Sequence, residues 1–247
     1  MTLSDKLKIK NYELKTKDRL VAILLGPPGA GKGTQAILLA DKLGLYYFET
    51  SKIIEENIKE AKEGDFVEIE GKKFPLLKEK ENWEKGEISS PPLVVFWIKN
   101  RIERLAKLGE NLVMAGSPRS LYEGKELLPL FKKLYGPENI KVILIELGVK
   151  ESVFRNSHRR ICALMRHPIL YNEETKNLKN CPLDGSKLMK RALDKPEIIE
   201  KRFRVYQEKT LPLVDFFEKE GLKVKKVNGE QSVAKVFKDI LEVLCPR

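Results

Sequence analysis

The stretch VAILLGPPGAGKGTQ, Val21 to Gln35, decides the fold. Val21–Leu25 is wholly apolar, as expected of a strand buried on both faces. Gly26, Gly29, Gly31 and Gly33 then fall within eight residues, beside Pro27 and Pro28. Glycine inside a regular element costs about 0.5–1 kcal/mol relative to alanine, so this cluster answers a geometric demand. A buried strand, a glycine turn, a lysine and a helix make a grip for phosphate. Glycines let backbone N–H groups converge on the oxygens, and the helix N-terminus adds its partial positive charge. Lys32 would reach the terminal phosphates, while the hydroxyl of Thr34 would meet Mg²⁺ alongside phosphates and water. Gly29, Ala30, Gly31, Lys32, Gly33 and Thr34 are the candidate phosphate-holding residues. The common form of the motif has serine or threonine directly after the lysine; here Gly33 intervenes.

Outward from this loop, apolar runs and helical periods alternate. Thr34–Leu43 is helical and meets Gly44; Tyr46–Phe48 is a short strand; Ser51–Lys62 reads as a polar helix capped by Thr50 or Ser51. FVEIEGKKF alternates around Gly71 as a small hairpin. Pro91 and Pro92 open a helix through Leu108, NLVMAG is strand-like, and LYEGKELLPLFKKLYG is helical. Ile140–Leu147 is a strong buried-strand signal, followed by a basic helix, Lys150–Ile161, and a loop-rich stretch from Cys162 to Lys190. A long helix from Pro196 is expected to bend near Pro212; LKVKKVN is a last strand and Ser232–Leu244 a last helix. Strands alternating with helices imply an α/β fold in three layers, a parallel sheet covered on both faces.

The 247 residues carry a formal net charge of +11, with 42% hydrophobic and 34% charged residues. Many lysines interleave with glutamates, as in EENIKEAKEG, and read as a solvated surface. Nucleic-acid binding would gather basic and aromatic residues on one face; no such cluster is visible, so nucleic acid is not an expected partner. No apolar run approaches a membrane span, and residues 1–19 are a charged lead-in without the apolar segment of a secretory signal. Cys162, Cys181 and Cys245 are too few and too scattered for a disulfide framework. A cytoplasmic, monomeric protein is the expectation.

The variant GPPGAGKGTQ resembles adenylate kinase and its nucleoside monophosphate kinase relatives. GSPRS (116–120) stands where that family has a Gly-Phe-Pro-Arg-Thr turn. RNSHRRIC (155–162) is similar to its arginine-rich helix entering a mobile lid, and KRALDKPEIIEKRFRVYQEKTLPLVDFF to the segment leaving it. The resemblance implies a P-loop core over 20–49, 89–158 and 193–247, an acceptor-nucleotide insertion over 50–88 and a lid over 159–192. It also implies reversible transfer of the γ-phosphoryl group of ATP, with Mg²⁺, to a nucleoside monophosphate, with AMP favoured. Carried over residue by residue, Lys32, Arg159, Arg191 and Arg202 surround the transferring group, and Arg155 lies under the donor base. Asp194 accompanies the donor side; Thr50, Lys52, Gly116, Arg119 and Glu123 attend the acceptor, with Arg191 and Arg202 shared. Arginine suits this work because its planar fork holds two oxygens and keeps its proton.

Several positions depart from the family. Ala115 stands where an aspartate helps hold the Mg²⁺ water shell, and Leu193 replaces one of two aspartates after the lid. In place of Thr-Gly-Asp-x-x-Arg the chain has TSKIIE: Glu55 takes the arginine's position and Lys52 the aspartate's. Positions three apart on a helix are neighbours, so Lys52 is expected to replace part of the missing arginine. Glu123 stands for a base-reading glutamine; a carboxylate accepts from an exocyclic amine, which keeps adenine and cytosine open as the base without deciding it. These losses also support an alternative, a nucleotide-binding regulatory protein with weak or no catalysis. Many bacterial members of the family hold the lid with zinc through one Cys-x-x-Cys and a second Cys-x-x-Cys or Cys-x-x-Asp. Here Cys162, Cys181 and Asp184 match, Met165 supplies no thiolate, and His167 is a substitute two residues on. Zinc requires four ligands in a structural site, so a metal-free lid is favoured over zinc.

Overall fold

The computed structural model describes residues 19–85, 89–191 and 194–245. Most of the lead-in (1–18) and Leu193 lie outside the described residues. The chain begins with β1 (Val21–Leu25), α1 (Lys32–Leu43), β2 (Tyr46–Phe48), α2 (Thr50–Ile58), β3 (Phe66–Ile69), β4 (Lys72–Pro75) and α3 (Leu76–Glu84). It continues with α4 (Pro91–Lys107), β5 (Leu112–Met114), α5 (Leu121–Tyr135), β6 (Ile140–Glu146), α6 (Val149–His158) and β7 (Arg160–Cys162). β8 (Pro168–Ile169), β9 (Leu188–Met189), α7 (Pro196–Val205), α8 (Leu213–Lys219), β10 (Val224–Asn228) and α9 (Val233–Leu244) complete it.

Among the described residues, β10, β6, β1, β5 and β2 form one sheet in that order, every pair parallel. The alternation of side chains along β1 explains its unbroken apolar run. Val21, Ile23 and Leu25 enter a core with Phe48, Ile98, Phe131 and Phe217, beneath α2, α4, α5 and α8. Leu20, Ala22 and Leu24 enter a second core with Leu39, Ile143, Val236 and Ile240, beneath α1 and α9. Burying such a side chain fully contributes about 1.5–3 kcal/mol, so both faces hold the strand. The ligand crevice of an open parallel sheet lies at the C-terminal ends of its strands, which is where the loop after β1 opens.

Two segments lie outside this sheet. One carries the β3–β4 hairpin, turned at Glu70 (φ +50°) and Gly71 (φ +77°), followed by α3. The other contains a small antiparallel sheet in the order β8-β7-β9. Among the described residues, no helix is long and apolar enough to cross a membrane.

Several sequence expectations need correction. The basic helix stops at His158 rather than Ile161, because Arg159 turns extended at ψ 137° and Arg160–Cys162 pairs as a strand. The loop-rich stretch therefore holds paired strands, each too short to show a period. The polar helix runs over Thr50–Ile58, and its cap position is Glu49 rather than Thr50 or Ser51, with no side-chain cap bond. The long helix widens into a π turn at Tyr206–Thr210 before Pro212, where the proline ring and its missing N–H disrupt the preceding ladder.

Candidate active site

The loop between β1 and α1 is shaped by close contacts to its neighbours. A Cβ on Gly26 would lie 2.5 Å from the Ile145 carbonyl oxygen, and one on Gly29 would lie 2.5 Å from Asn156 Nδ2. Both glycines have positive φ, +148° and +80°, so a side chain there is excluded by space and by backbone. α6 braces the loop: Ser152 Oγ donates to Pro28 O at 2.7 Å, and Asn156 Nδ2 donates to Ser152 O at 2.7 Å. Lys32 Nζ folds over the loop, donating to Gly26 O at 2.7 Å and Pro27 O at 2.8 Å. Gly33 and Thr34 lie half-buried in the first turn of α1, next to these groups.

Around this mouth the chain collects positive charge. Burial, then the charges of Arg119, Arg202 and Arg159, lower the Lys32 ammonium from 10.5 to about 7. Desolvation and repulsion from Arg159, Arg119 and Arg191 also pull Arg202 below its ordinary value. Arg191 is lowered by desolvation, then Arg159 and Arg166, with Asp194 and Glu49 opposing. Arg119, Arg191 and Arg202 are exposed at this mouth, so water screens part of their repulsion and an anion placed among them would relieve the rest. Asp194 answers part of the demand: Arg159 donates to it through Nε at 3.1 Å and Nη2 at 2.7 and 2.8 Å. The Asp194 side chain is 2% exposed, so its charge is committed to this pair. α6 carries Arg155 one turn before Arg159, with Arg155 Nε bonded to Glu151 at 2.7 Å.

On the other side of the mouth, a Cβ on Gly116 would lie 3.3 Å from Thr50 Oγ1 and 3.5 Å from Arg119 Nη2. Thr50, Gly116 and Arg119 thus come together, and the buried Thr50 hydroxyl has no protein partner. A buried hydroxyl without a partner costs about 1–3 kcal/mol, which a bound ligand could recover. Thr210 Oγ1 donates to Arg119 O at 2.7 Å and ties the π turn to the same loop. Glu123 is engaged within the protein: Oε2 accepts from Ser117 Oγ and, at 3.0 Å, from the Arg119 amide. Lys52 pairs with Glu49 at 3.3 Å and is 69% exposed; Glu55 faces solvent.

In the small sheet, Cys162, His167, Cys181 and Asp184 bring their ligand atoms within 4.8 Å of one another. Cys162 Sγ lies 3.0 Å from Asp184 Oδ2, and His167 Nδ1 lies 3.6 Å from each sulfur. His167 completes a set of four that its sequence position only suggested. Met165 is 63% exposed and takes no part.

Ser152 and Asn156 escaped the sequence reading. The signal is present, two polar residues four apart on the helix that carries Arg155, but Ser152 acts on Pro28, 124 residues away, and Asn156 acts through Ser152 O.

A parallel sheet, a glycine loop at the end of its central strand and a ring of cations over that loop define a P-loop phosphate-binding protein. Residues 24–222 match the adenylate kinase family. Adenylate kinase of Clostridioides difficile is 34% identical over 223 residues, covering 90% of this chain and 97% of that protein. Adenylate kinases of Methanosarcina barkeri and Archaeoglobus fulgidus are each 31% identical, again over 90% of this chain and 96–97% of theirs. The chain belongs to the adenylate kinase family.

Proposed function

We propose that this chain transfers the γ-phosphoryl group of ATP to a nucleoside monophosphate, with AMP the favoured acceptor, as a monomer in the cytoplasm. The observation that carries this reading is the convergence of Lys32, Arg119, Arg159, Arg191 and Arg202 on one loop mouth. An acceptor phosphate oxygen attacks the γ-phosphorus and the bond to the β–γ bridging oxygen breaks, giving two diphosphates. Such a reaction asks for positioning and charge neutralisation rather than for a covalent partner. The loop amides and Lys32 hold the donor phosphates, Arg155 supports the donor base, and Thr50, Gly116 and Arg119 hold the acceptor. Arg159, Arg191 and Arg202 surround the group in flight, with Asp194 fixing Arg159. Thr34 would hold Mg²⁺ through its hydroxyl, a hard oxygen donor, and the ion would supply charge neutralisation on the phosphates. Residues 50–88 serve as the acceptor insertion and 159–192 as the lid, whose closure excludes water.

The test is to incubate the chain with Mg-ATP and each of AMP, CMP, UMP and GMP, then resolve the nucleotides. Formation of ADP and the acceptor diphosphate, fastest with AMP, is expected. Nucleotide binding without any diphosphate formed would instead support a regulatory protein. Lys52→Ala is expected to raise the AMP KM about fivefold, the ~1 kcal/mol of an exposed ion contact, without changing ATP affinity. An unchanged AMP KM contradicts that role for Lys52.

Zinc in the lid is part of the same reading, with Cys162, His167, Cys181 and Asp184 as ligands. Two thiols, an imidazole and a carboxylate fit zinc's donor preference and its tetrahedral number. The support is the gathering of four such donors around one point, against the metal-free lid favoured by sequence. Protein purified without chelator should contain one zinc per chain, and stripping it should lower Tm by about 5–10 °C. Protein without zinc, melting identically before and after chelator, would overturn this.

A further inference from the structure

Ala115 leaves the end of β5 without an acid, and Lys52 occupies the position of another. If the chain uses Mg-ATP, as proposed above and as this inference requires, a carboxylate from elsewhere would complete the donor set that Mg²⁺ favours beside Thr34, phosphates and water. The strand register brings one. Tyr46 lies opposite Leu112, Tyr47 opposite Val113 and Phe48 opposite Met114. The ladder ends at Phe48 and Met114, and Glu49 leaves it still extended, at φ −105° and ψ 102°, so the strand direction carries it toward the Ala115 end of β5. Neighbouring strands are about 4.8 Å apart, and residues alternate between faces. Phe48 and Met114 enter the core under α2 and α4, whereas Tyr47, Val113 and Ala115 pack toward α1 and α9. Alternation therefore puts Glu49 on the α1 face, with Tyr47. The Tyr47 hydroxyl lies 3.5 Å from the place of a Cβ on Gly33, so this face of β2 adjoins the turn that carries Thr34.

We propose that Glu49 is the carboxylate that positions the Mg²⁺ of the bound nucleotide, taking over from β2 the task of the acid missing at Ala115. The carboxylate is held by contacts at the solvent edge. It caps no N–H of α2, and its bonds are to Ser51 Oγ at 3.2 Å and the exposed Lys52 ammonium at 3.3 Å. An exposed pair of this kind is worth about 0–1 kcal/mol and opens readily. The charge of Glu49 also reaches inward, acting on Tyr47 and on Arg191. A hard oxygen donor on the face of β2 that adjoins the Thr34 turn would suit Mg²⁺, which keeps several waters and takes one or two carboxylates. Glu49 is thus a positioning residue, acting on the phosphates through the metal.

The test is Mn²⁺ affinity, read by electron paramagnetic resonance, of the full chain saturated with a non-hydrolysable ATP analogue. Glu49→Gln is expected to weaken Mn²⁺ at least tenfold while metal-free analogue binding holds, and to shift the Mg²⁺ dependence of turnover to higher concentration. Ala115→Asp in the Glu49→Gln background should restore Mn²⁺ affinity. Unchanged Mn²⁺ affinity in Glu49→Gln overturns the assignment. So does a loss that Ala115→Asp leaves unrepaired and that comes with a lowered Tm, since that marks a folding role. Absence of turnover in the unaltered chain counts against the kinase reading alone, because the Mn²⁺ comparison is made without turnover.

Discussion

Lys32→Met is expected to reduce kcat about a thousandfold, the upper range for removing one preorganised charge from a developing anion, and to stabilise the ligand-free chain at pH 7. The two effects share a cause. In the folded chain the Lys32 ammonium is lowered from 10.5 to about 7 by burial and by Arg119, Arg202 and Arg159. The charged form is thus less favourable folded than unfolded. This penalty is fully present below pH 7 and fades as pH rises toward 10.5. At 1.36 kcal/mol per unit, reduced for partial solvent access, it amounts to on the order of 2–4 kcal/mol. Methionine keeps the stem and removes the charge, so Tm at pH 7 should rise by several degrees, and the difference from the parent should shrink by pH 10. Phosphate reverses the balance by favouring the ammonium. ATP binding at pH 8 is therefore expected to take up close to one proton in the parent chain and none in Lys32→Met. Calorimetric titration in two buffers of different ionisation enthalpy measures this directly. Equal proton uptake in both proteins would show that Lys32 does not meet the phosphates.

Arg202→Met is expected to lower kcat about a hundredfold or more, with a smaller change in the KM for either nucleotide. Desolvation, then the charges of Arg159, Arg119 and Arg191, pull Arg202 below its ordinary value against the opposing charge of Asp194, so among the described residues repulsion outweighs attraction at this guanidinium. An arginine held against like charges has its favourable interactions deferred to the moment when negative charge occupies the ring. Arg202→Lys should recover only part of the rate, since an ammonium is a point charge and cannot span two oxygens. Removing one member of a repelling set should leave Tm unchanged or raised. A loss of kcat with a parallel fall in Tm, or a full rescue by lysine, would assign Arg202 a structural part.

How far the molecule could be read from its residues depends on how each element is buried. β1 and β6 are covered on both faces, so their unbroken apolar runs identify them without a partner. α3 was not foreseen because LLKEKENWE offers little apolar face of its own. β7, β8 and β9 are held by pairing with one another, and strands of two or three residues carry no period. At the site, the glycine loop and Lys32 are legible because the local backbone does the binding. The arginines are legible only through resemblance, since nothing in the isolated residues distinguishes Arg202 from Arg204, and both are exposed. Glu123 shows the limit of carry-over: its carboxylate accepts from Ser117 and the Arg119 amide, a local turn that residue identity alone does not reveal. Glu49 and the four donors around Cys162 depend on strand register and loop closure, which exist only in three dimensions.

The central claim, that one ring of cations serves two nucleotides at once, is tested most directly by supplying Mg-ADP alone and following the nucleotides by phosphorus NMR. ADP is expected to fall while ATP and AMP appear in equal amounts, approaching an equilibrium near unity, and Lys32→Met is expected to leave ADP untouched over the same time. ADP that persists unchanged with the parent chain, or that yields AMP and free phosphate without ATP, would contradict it.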